Sequence, residues 1–348
     1  MDVRARYTEI PKDSSPKDEI VSILYESGGA TVSGQRLARI LGISRPGVWK
    51  HVQSLKKHGV PIQAVKNEGY RLADGTDLII PSIVQKSLRT KSLGRVIMYA
   101  PETGSTNSDA KELADMTDCF PHGTAVIAET QASGKGRLGR AWSSPRGGVF
   151  LSLILRPPLS PARVPALALA VGYSISLVLR DLFALDAKVK WPNDILIGGR
   201  KACGILCEMK AEIDAVSWVI AGIGVNANLT PMDLSVDVRS TATSLQAELG
   251  RNVDRNRLIA SILNCMEPIY EDFVAHGLSN MKGSISAILS HLNQPVIVKN
   301  ASVVGSPDLP GIARGIDNEG RLLLETAHGE TRTISAGDLS LRSQSTRL

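Results

Sequence analysis

The chain has 348 residues, of which 43% are hydrophobic, and its 40 Lys and Arg against 34 Asp and Glu give a formal net charge of +6. That length can bury the cores of two or three domains. The longest apolar run, residues 166–179, is shorter than the roughly 20 residues that a transmembrane helix requires. The first residues carry charges and a proline where a secretory signal needs an apolar core. Composition therefore argues against membrane and secreted proteins and predicts a cytoplasmic protein with no membrane partner.

Cysteine usage argues against a disulfide framework and against a zinc site. The four cysteines stand at positions 119, 203, 207 and 265, and no C-x-x-C pair or neighbouring histidine accompanies them. The sequence predicts small core residues at these positions and no metal site built from protein ligands.

The amino-terminal segment is the more basic part of the chain. Residues 1–75 hold 12 of the Lys and Arg but only 8 of the Asp and Glu. Apolar spacing and serine caps predict helices over 17–26, over 34–41 and from Ser44 onward. A hairpin is predicted within residues 60–72. Residues 1–75 are therefore predicted to form a winged helix-turn-helix domain.

The third of these helices is the predicted contact with DNA. Val48, Val52 and Leu55 recur at helical spacing and form its inner stripe. The outward positions offer donors to a groove and cations to phosphates: Arg45, Lys50, His51, Gln53, Lys56 and Lys57. A winged helix that binds a protein would show the same pattern, because a row of charges on a helix is also an ordinary solvated face.

From about residue 76 the pattern changes to mixed strands and helices. Strand-like runs occur at residues 95–99, 124–129, 150–155, 187–191, 195–197, 204–209 and 217–226, and long amphipathic helices at 165–183 and 256–274. From residue 295 short strands separated by turns predict a small β-barrel. The fold class is α+β, with domains at 1–75, 76–294 and 295–348.

A glycine-rich basic loop stands out in the central domain at residues 129–142, ETQASGKGRLGRAW. Its glycines let the backbone approach a ligand closely, and its lysine and arginines supply charge-assisted donors to anionic oxygens. It matches neither G-x-x-x-x-G-K-[ST] nor G-x-G-x-x-G. By composition alone the loop is either a phosphate site or a solvated surface loop.

Three further segments place polar residues at predicted strand ends. Residues 105–107 (STN) could bind a ligand or could simply cap the following helix. Residues 190–194 (KWPND) put a lysine at a rigid proline turn, where we expect its ammonium to point into a cleft. Residues 222–226 (GIGVN) end a strand in a glycine-spaced turn.

In this order and spacing the motifs STN, ETQASGKGRLGRAW, KWPNDI, RKACGIL and GIGVN resemble the biotin-protein ligases. The winged helix makes the chain similar to the bifunctional biotin ligase and biotin operon repressor. The resemblance covers nearly the whole chain and is most specific in GKGRLGRAW and KWPND. It implies a central domain like that of class II synthetases and an SH3-like carboxy-terminal domain. One departure is Lys135, where the family commonly has arginine, whose planar fork lysine lacks.

The resemblance implies that ATP, with Mg²⁺ on its polyphosphate, adenylates biotin, and that the biotinyl-5'-adenylate then modifies one lysine of a biotin carboxyl carrier protein. It assigns catalysis to Lys190 and Arg137. It assigns biotin binding to Ser105, Thr106, Asn107, Gln131, Gly134, Lys135, Gly136, Arg137 and Lys190. It assigns ATP or adenylate binding to Arg137, Arg140, Trp142, Lys190, Asn193, Asn226 and Arg342.

Cations dominate this set because a carboxylate must attack a phosphate that repels it, so positive charge has to bridge the two. The resemblance further implies operator DNA as a partner and a homodimer that forms on adenylate binding. Two alternatives stay open. One is a biotin ligase whose winged helix does not bind DNA, and the other is a related lipoate-attaching ligase.

Overall fold

A mixed eight-stranded sheet lies at the centre of the protein in a computed structural model that describes residues 3–9, 15–57, 59–116, 120–299 and 307–341. In chain order the helices are α1 (Pro16–Glu26), α2 (Gly34–Leu41), α3 (Arg45–Lys57), α4 (Pro81–Ser87), α5 (Thr106–Asp115), α6 (Val164–Phe183), α7 (Leu245–Leu249), α8 (Arg255–His276) and α9 (Lys282–Ala287). The strands are β1 (Thr8–Glu9), β2 (Ile62–Val65), β3 (Gly69–Leu72), β4 (Ile97–Thr103), β5 (Thr124–Gln131), β6 (Val149–Leu155), β7 (Lys188–Lys190), β8 (Asp194–Ile197), β9 (Arg200–Ala211), β10 (Val216–Val225), β11 (Pro295–Lys299), β12 (Leu309–Ile316), β13 (Leu322–Glu325), β14 (Thr331–Ile334) and β15 (Asp338–Leu341).

Helices α1 to α3 and the hairpin β2–β3 form the winged helix-turn-helix that the sequence predicts. The Ser33 hydroxyl caps α2 by accepting from the N–H of Arg36 at 3.1 Å. Gly42 ends α2 with φ of 64°, a left-handed conformation that favours glycine. Val48 and Val52 are fully buried in the small core of this domain. The predicted inner stripe therefore anchors α3.

The central sheet has the strand order β1-β4-β5-β6-β10-β9-β8-β7. Strands β4 and β5 are parallel, with α5 as their crossover, whereas the other neighbouring strands are antiparallel. The last residues of the parallel pair, Thr103 and Gln131, lie opposite each other. The start of α5 and the loop after β5 therefore meet at one end of the sheet.

Helices α6 and α8 belong to the main apolar core on one face of this sheet, and α5 covers a smaller core on the other face. By length and hydropathy the segment Pro161–Phe183 could cross a bilayer, but 72% of its apolar window is buried within the protein. A helix that is hydrophobic on nearly all sides is expected at such a buried position.

Strands β11 to β15 form a five-stranded antiparallel sheet in the order β14-β13-β12-β11-β15. Val296, Val298 and Leu324 of this sheet are fully buried and belong to the main core. The indole N–H of Trp191 donates to the carbonyl of Gly320 at 2.9 Å. The carboxy-terminal sheet is thereby held against the central domain.

The winged domain contacts the central domain through α1, α4 and the chain between them. The hydroxyls of Ser22 and Ser82 share a buried hydrogen bond of 2.6 Å. Beyond the wing, Asp77 accepts from the fully buried Arg255 at 2.6 Å, and Arg255 also donates to Glu129 at 2.6 Å. Two carboxylates offset the burial of one guanidinium, so the connecting segment is fixed to the sheet.

Residues 3–9 differ from the predicted domain division, which assigned them to the winged helix. Val3–Arg6 form a turn of 3-10 helix, and β1 pairs with β4 so that Thr8 lies opposite Tyr99. This segment is therefore part of the central sheet. Two strand residues are too few to produce an alternating pattern, which is why the sequence did not reveal them.

Candidate active site

A cavity of about 350 Å³ opens at the end of the sheet where α5 begins. Its volume is within the usual range for small-molecule sites. The loop after β5, one face of β9 and β10, the chain around residues 234–242 and Asp338 of β15 enclose it. Most residues that the sequence assigned to biotin or ATP line this cavity: Ser105, Thr106, Asn107, Gln131, Lys135, Gly136, Arg137, Arg140, Trp142, Asn193 and Asn226.

A neutral hydrogen-bond network forms one end of the cavity. Gln131 Oε1 accepts from the backbone N–H of Thr106 at 2.8 Å and from its hydroxyl at 3.1 Å. Ser152 Oγ lies 2.8 Å from Thr106 Oγ1 and donates to Asn107 Oδ1 at 2.6 Å. Gln131 Nε2 donates to Ser144 Oγ at 2.7 Å. These contacts fix which edge of each amide faces the cavity.

Paired glycines on β9 and β10 form the floor beneath Trp142. Gly204 and Gly224 lie opposite each other in the two strands. A Cβ atom on Gly224 would come within 2.6 Å of the indole ring, and one on Gly204 within 2.9 Å. The ring can therefore rest directly on the backbone only because both positions are glycine.

The glycine-rich loop folds back on itself. Lys135 and Ala141 form an isolated antiparallel bridge, and the N–H of Gly136 donates to the carbonyl of Arg140 at 2.7 Å. Leu138 at the tip has φ of 55° and is 53% exposed. Gly134 is not among the lining residues, but a Cβ there would press against the backbone of Trp142. Its role is close packing at the base of the loop.

Two arginines of this loop reach across to the neighbouring sheets. Arg137 Nη1 donates to Asn193 Oδ1 at 3.1 Å, and both of its terminal nitrogens donate to the carbonyl of Gly337 at 3.4 Å. Arg140 forms an ion pair with Asp338, and Arg137 Nη1 lies 3.7 Å from the same carboxylate. The loop is therefore connected to the carboxy-terminal sheet by charge.

Lys201 lines the same cavity, although it was not among the predicted site residues. Its ammonium lies 2.7 Å from the Asp194 carboxylate and 5.1 Å from the centroid of the Trp142 ring. Asp194, Lys201 and Trp142 thus form a compact group between the loop and the floor. A cation over an aromatic face is attracted to the ring, which restrains both side chains.

A β-bulge turns Lys201 toward the cavity. Two successive residues of β8 pair with Lys201 and Cys203, so Ala202 between them has no partner in β8. The extra residue puts Lys201 and Gly204 on the same face of β9, and both line the cavity. The predicted strand began at Gly204, which left Lys201 in a turn with no defined direction.

Lys190, the lysine that the sequence analysis assigned to catalysis, is not among the lining residues. It ends β7, in register with Asp194, and its charge acts on the buried His291. Burial first, and the charge of Lys190 second, lower the pKa of His291 to about 4. Directly opposite residues of an antiparallel pair share one face of the sheet, so Lys190 lies on the same face as Asp194 but outside the cavity lining, and the lysine in contact with the Trp142 ring is Lys201.

The two predicted asparagines hold backbone at the cavity wall. Asn193 Nδ2 donates to the carbonyl of Ile205 at 2.6 Å, and Asn226 Nδ2 donates to the carbonyl of Thr243 at 2.9 Å. Each of them also lines the cavity. Arg342, the remaining residue predicted to bind ATP, lies outside the described residues.

Several lining residues had no usable signal in the sequence. Leu234, Ser235 and Val238 belong to an irregular stretch after GIGVN. Asp338 comes from a different domain. Lys201 is the exception, because RKACGIL was one of the motifs that carried the resemblance.

The cysteines in the described part of the chain are packing residues. Cys203 is fully buried in the main core, and Cys207 and Cys265 pack against it. Burial raises the pKa of Cys207 to about 12, and a protonated thiol is a poor nucleophile. Cys119 lies outside the described residues.

The predicted DNA contacts all lie on α3. The exposed ones are Arg45, Lys50, Gln53, Lys56 and Lys57, and His51 is half-buried. Trp49, which the sequence analysis did not select, is 58% exposed on the same helix. Because the opposite face is buried, α3 presents a basic surface that could enter a major groove.

Three family models match the chain in succession. An HTH domain matches residues 17–71, the Biotin/lipoate A/B protein ligase family matches residues 101–226, and the Biotin protein ligase C terminal domain matches residues 291–342. These regions correspond to the winged helix, to the part of the central domain that holds most of the cavity, and to the five-stranded sheet.

Curated relatives match the chain over nearly its whole length. The chain is 37% identical to the bifunctional ligase/repressor BirA of Bacillus subtilis (strain 168) over 326 residues, which cover 93% of this chain and 98% of that protein. It is 33% identical to the bifunctional ligase/repressor BirA of Escherichia coli (strain K12), over 95% and 99% of the two chains. The biotin protein ligase from Aquifex aeolicus, solved with biotin and ATP, has a TM-score of 0.60 at 27% identity and covers 73% of this chain and 99% of its own.

Proposed function

This chain belongs to the family of bifunctional biotin ligases and repressors, and we propose which of its residues carry out each of the two activities. The chain is an ATP-dependent biotin-[acetyl-CoA-carboxylase] ligase and a DNA-binding repressor. A lipoate-attaching ligase is excluded, since the relatives that match nearly the whole chain are biotin ligases. The ligase reaction joins biotin to AMP and then transfers it to a lysine of the carrier protein.

The two ends of the cavity suit the two ends of biotin. Biotin has an uncharged ureido group at one end and a carboxylate at the other. The network of Thr106, Asn107 and Gln131 offers fixed amide and hydroxyl groups to the uncharged end. At the other end Lys201 and Arg137 supply the charge that a carboxylate requires.

Lys201 is proposed to bridge the biotin carboxylate and the α-phosphate of ATP. Attack of one anion on another is opposed by their repulsion, and a cation between them lowers that barrier. The ion pair with Asp194 and the ring of Trp142 hold the ammonium in place before substrates arrive, so little reorganisation accompanies the reaction. Arg137, held by Asn193 and Gly337, supplies a second charge from the loop.

Mg²⁺ is proposed as the counter-ion of the polyphosphate. The described residues contain no cluster of three or more metal-binding side chains, but Mg²⁺ is commonly held by one or two carboxylates together with substrate phosphates. The carboxylates of Asp194 and Asp338 line the cavity and would hold the ion. When bound, the ion would neutralise charge on the leaving pyrophosphate.

Trp142 is proposed to contact the adenylate. Its indole N–H is buried and has no hydrogen-bond partner in the part of the chain that the structure describes. A buried donor without a partner is uncommon in native proteins, and an acceptor on the ligand would satisfy it. The ring lines the cavity beside the loop that carries Arg137 and Arg140.

The convergence of the neutral network and the cations in one cavity carries the ligase proposal. Mass spectrometry of the purified protein with ATP and either biotin or lipoate should detect only biotinyl-5'-adenylate. Gln131→Ala should raise the KM for biotin about tenfold, since a buried hydrogen bond contributes roughly 1 kcal/mol or more. Adenylate formation from lipoate, or an unchanged KM in Gln131→Ala, would contradict this assignment.

Repression is proposed to depend on a two-fold dimer formed through β9. Strand β8 pairs with β9 only as far as Gly204, so the outer part of β9 presents a strand edge among the described residues. Met209 is 41% exposed there, and Ile213 in the following turn is 94% exposed. Pairing of two such edges would join two sheets and present two α3 helices to a palindromic operator.

The dimer proposal is tested by sedimentation and gel shift at one fixed salt concentration. Biotin plus ATP should raise both the dimer fraction and the affinity for operator DNA, and Met209→Lys should lower both without changing adenylate synthesis. A dimer that is equally populated without ligand would contradict the coupling. We also propose a cytoplasmic location and an SH3-like closure of the carboxy-terminal sheet, which fits its small antiparallel strands.

A further inference from the structure

The amino-terminal segment of residues 3–9, here termed the strap, crosses the outside of α5. Val3 is fully buried and Tyr7 is 8% exposed, both in the small core that also contains Leu113 and Trp218. β1 of the strap adds a strand to the edge at β4. The helix-turn-helix match begins only at residue 17, so the strap lies outside the DNA-binding module that follows it.

The strap meets the cavity helix at Asp109. The carboxylate of Asp109 is buried, accepts from the Tyr7 hydroxyl at 2.6 Å and lies 3.4 Å from Arg6. The Thr103 hydroxyl donates to the same carboxylate. A buried carboxylate is stable only when donors surround it, and the strap supplies two of these three groups.

Asp109 transmits this contact to the residues that line the cavity. It lies in the first turn of α5, and its N–H donates to the carbonyl of Ser105 at 3.0 Å. Thr103 ends β4 opposite Gln131. The carboxylate therefore ties the end of β4 to the start of α5 and fixes the turn between them, residues 103–107.

The Tyr7 hydroxyl is suited to this task. Burial, followed by the hydrogen bond and charge of Asp109, raises the pKa of Tyr7 well above its ordinary value. The hydroxyl therefore remains a donor across the whole physiological pH range. The ring of Tyr7 and the side chain of Val3 would be sufficient to fill the small core. The Tyr7 hydroxyl has a separate role, because it donates a hydrogen bond to Asp109.

We propose that the strap is a positioning element for biotin and that Tyr7 is its positioning residue. By holding Asp109, the hydroxyl preorganises Thr106 and Asn107 for the ligand. The proposal rests on the assignment of biotin to this cavity. In the sequence the strap precedes the winged helix, whose first helix begins at Pro16.

The test compares Tyr7→Phe, which removes one oxygen, with Tyr270→Phe, which does the same to a 6% exposed tyrosine on α8. Tyr7→Phe should raise the KM for biotin about three- to tenfold and leave kcat and the KM for ATP within about twofold, because preorganisation affects ground and transition states alike. Tyr270→Phe should change none of them. In an Asp109→Ala background, Tyr7→Phe should have no further effect on the KM.

The outcomes separate this proposal from the one on which it rests. If Gln131→Ala raises the KM for biotin and Tyr7→Phe does not, the strap proposal is wrong and the biotin assignment stands. If neither variant changes the KM, both are wrong. A fall in kcat and thermal stability with no selective change in the KM for biotin would also overturn the strap proposal, since it would show a structural role only.

Discussion

Strands β7 and β9 flank β8 at one end of the central sheet, and their lysines have different environments. Lys201 on β9 contacts Asp194 and the Trp142 ring within the cavity. Lys190 on β7 lies beside the buried His291. Both lysines belong to motifs of the same family resemblance, so membership of a motif does not decide which of them lines the cavity.

The largest expected difference is in adenylate synthesis. Lys201→Ala should lower the rate about hundredfold or more, because it removes the charge between two anions. Lys190→Ala should lower it less than about tenfold, since its ammonium does not line the cavity. Pyrophosphate release at saturating biotin and ATP measures both, and circular dichroism confirms that each variant is folded.

A third variant, Lys188→Ala, removes a charge from the same strand as Lys190 and serves as the matched control. Its rate should equal that of the wild-type protein. A larger loss in Lys190→Ala than in Lys201→Ala would reverse the comparison and return the bridging role to KWPND.

The difference between the two lysines also marks the limit of what the sequence could predict. The winged helix, the long helices and the main strands followed from apolar spacing, because burial imposes that spacing directly. The bulge at Ala202 leaves no such trace, since one unpaired residue changes direction without changing composition. The sequence therefore placed Lys201 in a motif but did not show that its side chain faces the cavity.

Contacts between distant segments were hidden for a similar reason. Asp338 reaches the loop from the last strand of the carboxy-terminal sheet, and Asp109 is held by residues at the very start of the chain. Neither pairing has a local pattern, because both depend on how complete domains pack. By contrast Gln131 and Thr106 were predicted together, because the family resemblance assigned both to biotin, and a hydrogen bond joins them.

The glycine floor beneath Trp142 fixes the position of the ring beside Lys201. Gly224→Ala should raise the KM for ATP about tenfold, because the new methyl group would overlap the indole ring and displace it from beside Lys201. Gly283→Ala is the control, since a Cβ there meets open space. Steady-state kinetics with varied ATP measure the effect. An unchanged KM in Gly224→Ala would show that the ring position is unimportant for the nucleotide.

The smallest expected effect concerns the buried His291, whose pKa depends in part on the charge of Lys190. The pKa of His291 in the folded protein is about 4, below the ordinary value of 6.5. The unfolded chain therefore binds the proton more readily. The neutral, buried imidazole contributes its full stability above about pH 6.5, and that contribution is lost as the pH falls from 6.5 toward 4.

Removing Lys190 should weaken this acid sensitivity without abolishing it, because burial is the larger cause of the shift and the lysine charge the smaller. Urea unfolding at about pH 7 and pH 5 should show a smaller loss of unfolding free energy in Lys190→Met than in the wild-type protein, by roughly 0.4 kcal/mol if the pKa of His291 rises by about one unit. His291→Gln should remove the imidazole's share of the loss. Lys201→Met, which neutralises the cavity lysine, should leave the pH dependence of His291 unchanged. NMR titration of His291 checks this effect. If the pKa of His291 were the same in Lys190→Met and in the wild-type protein, the charge of Lys190 would not act on His291. The proposed difference between the two lysines would then rest on the position of Lys201 alone.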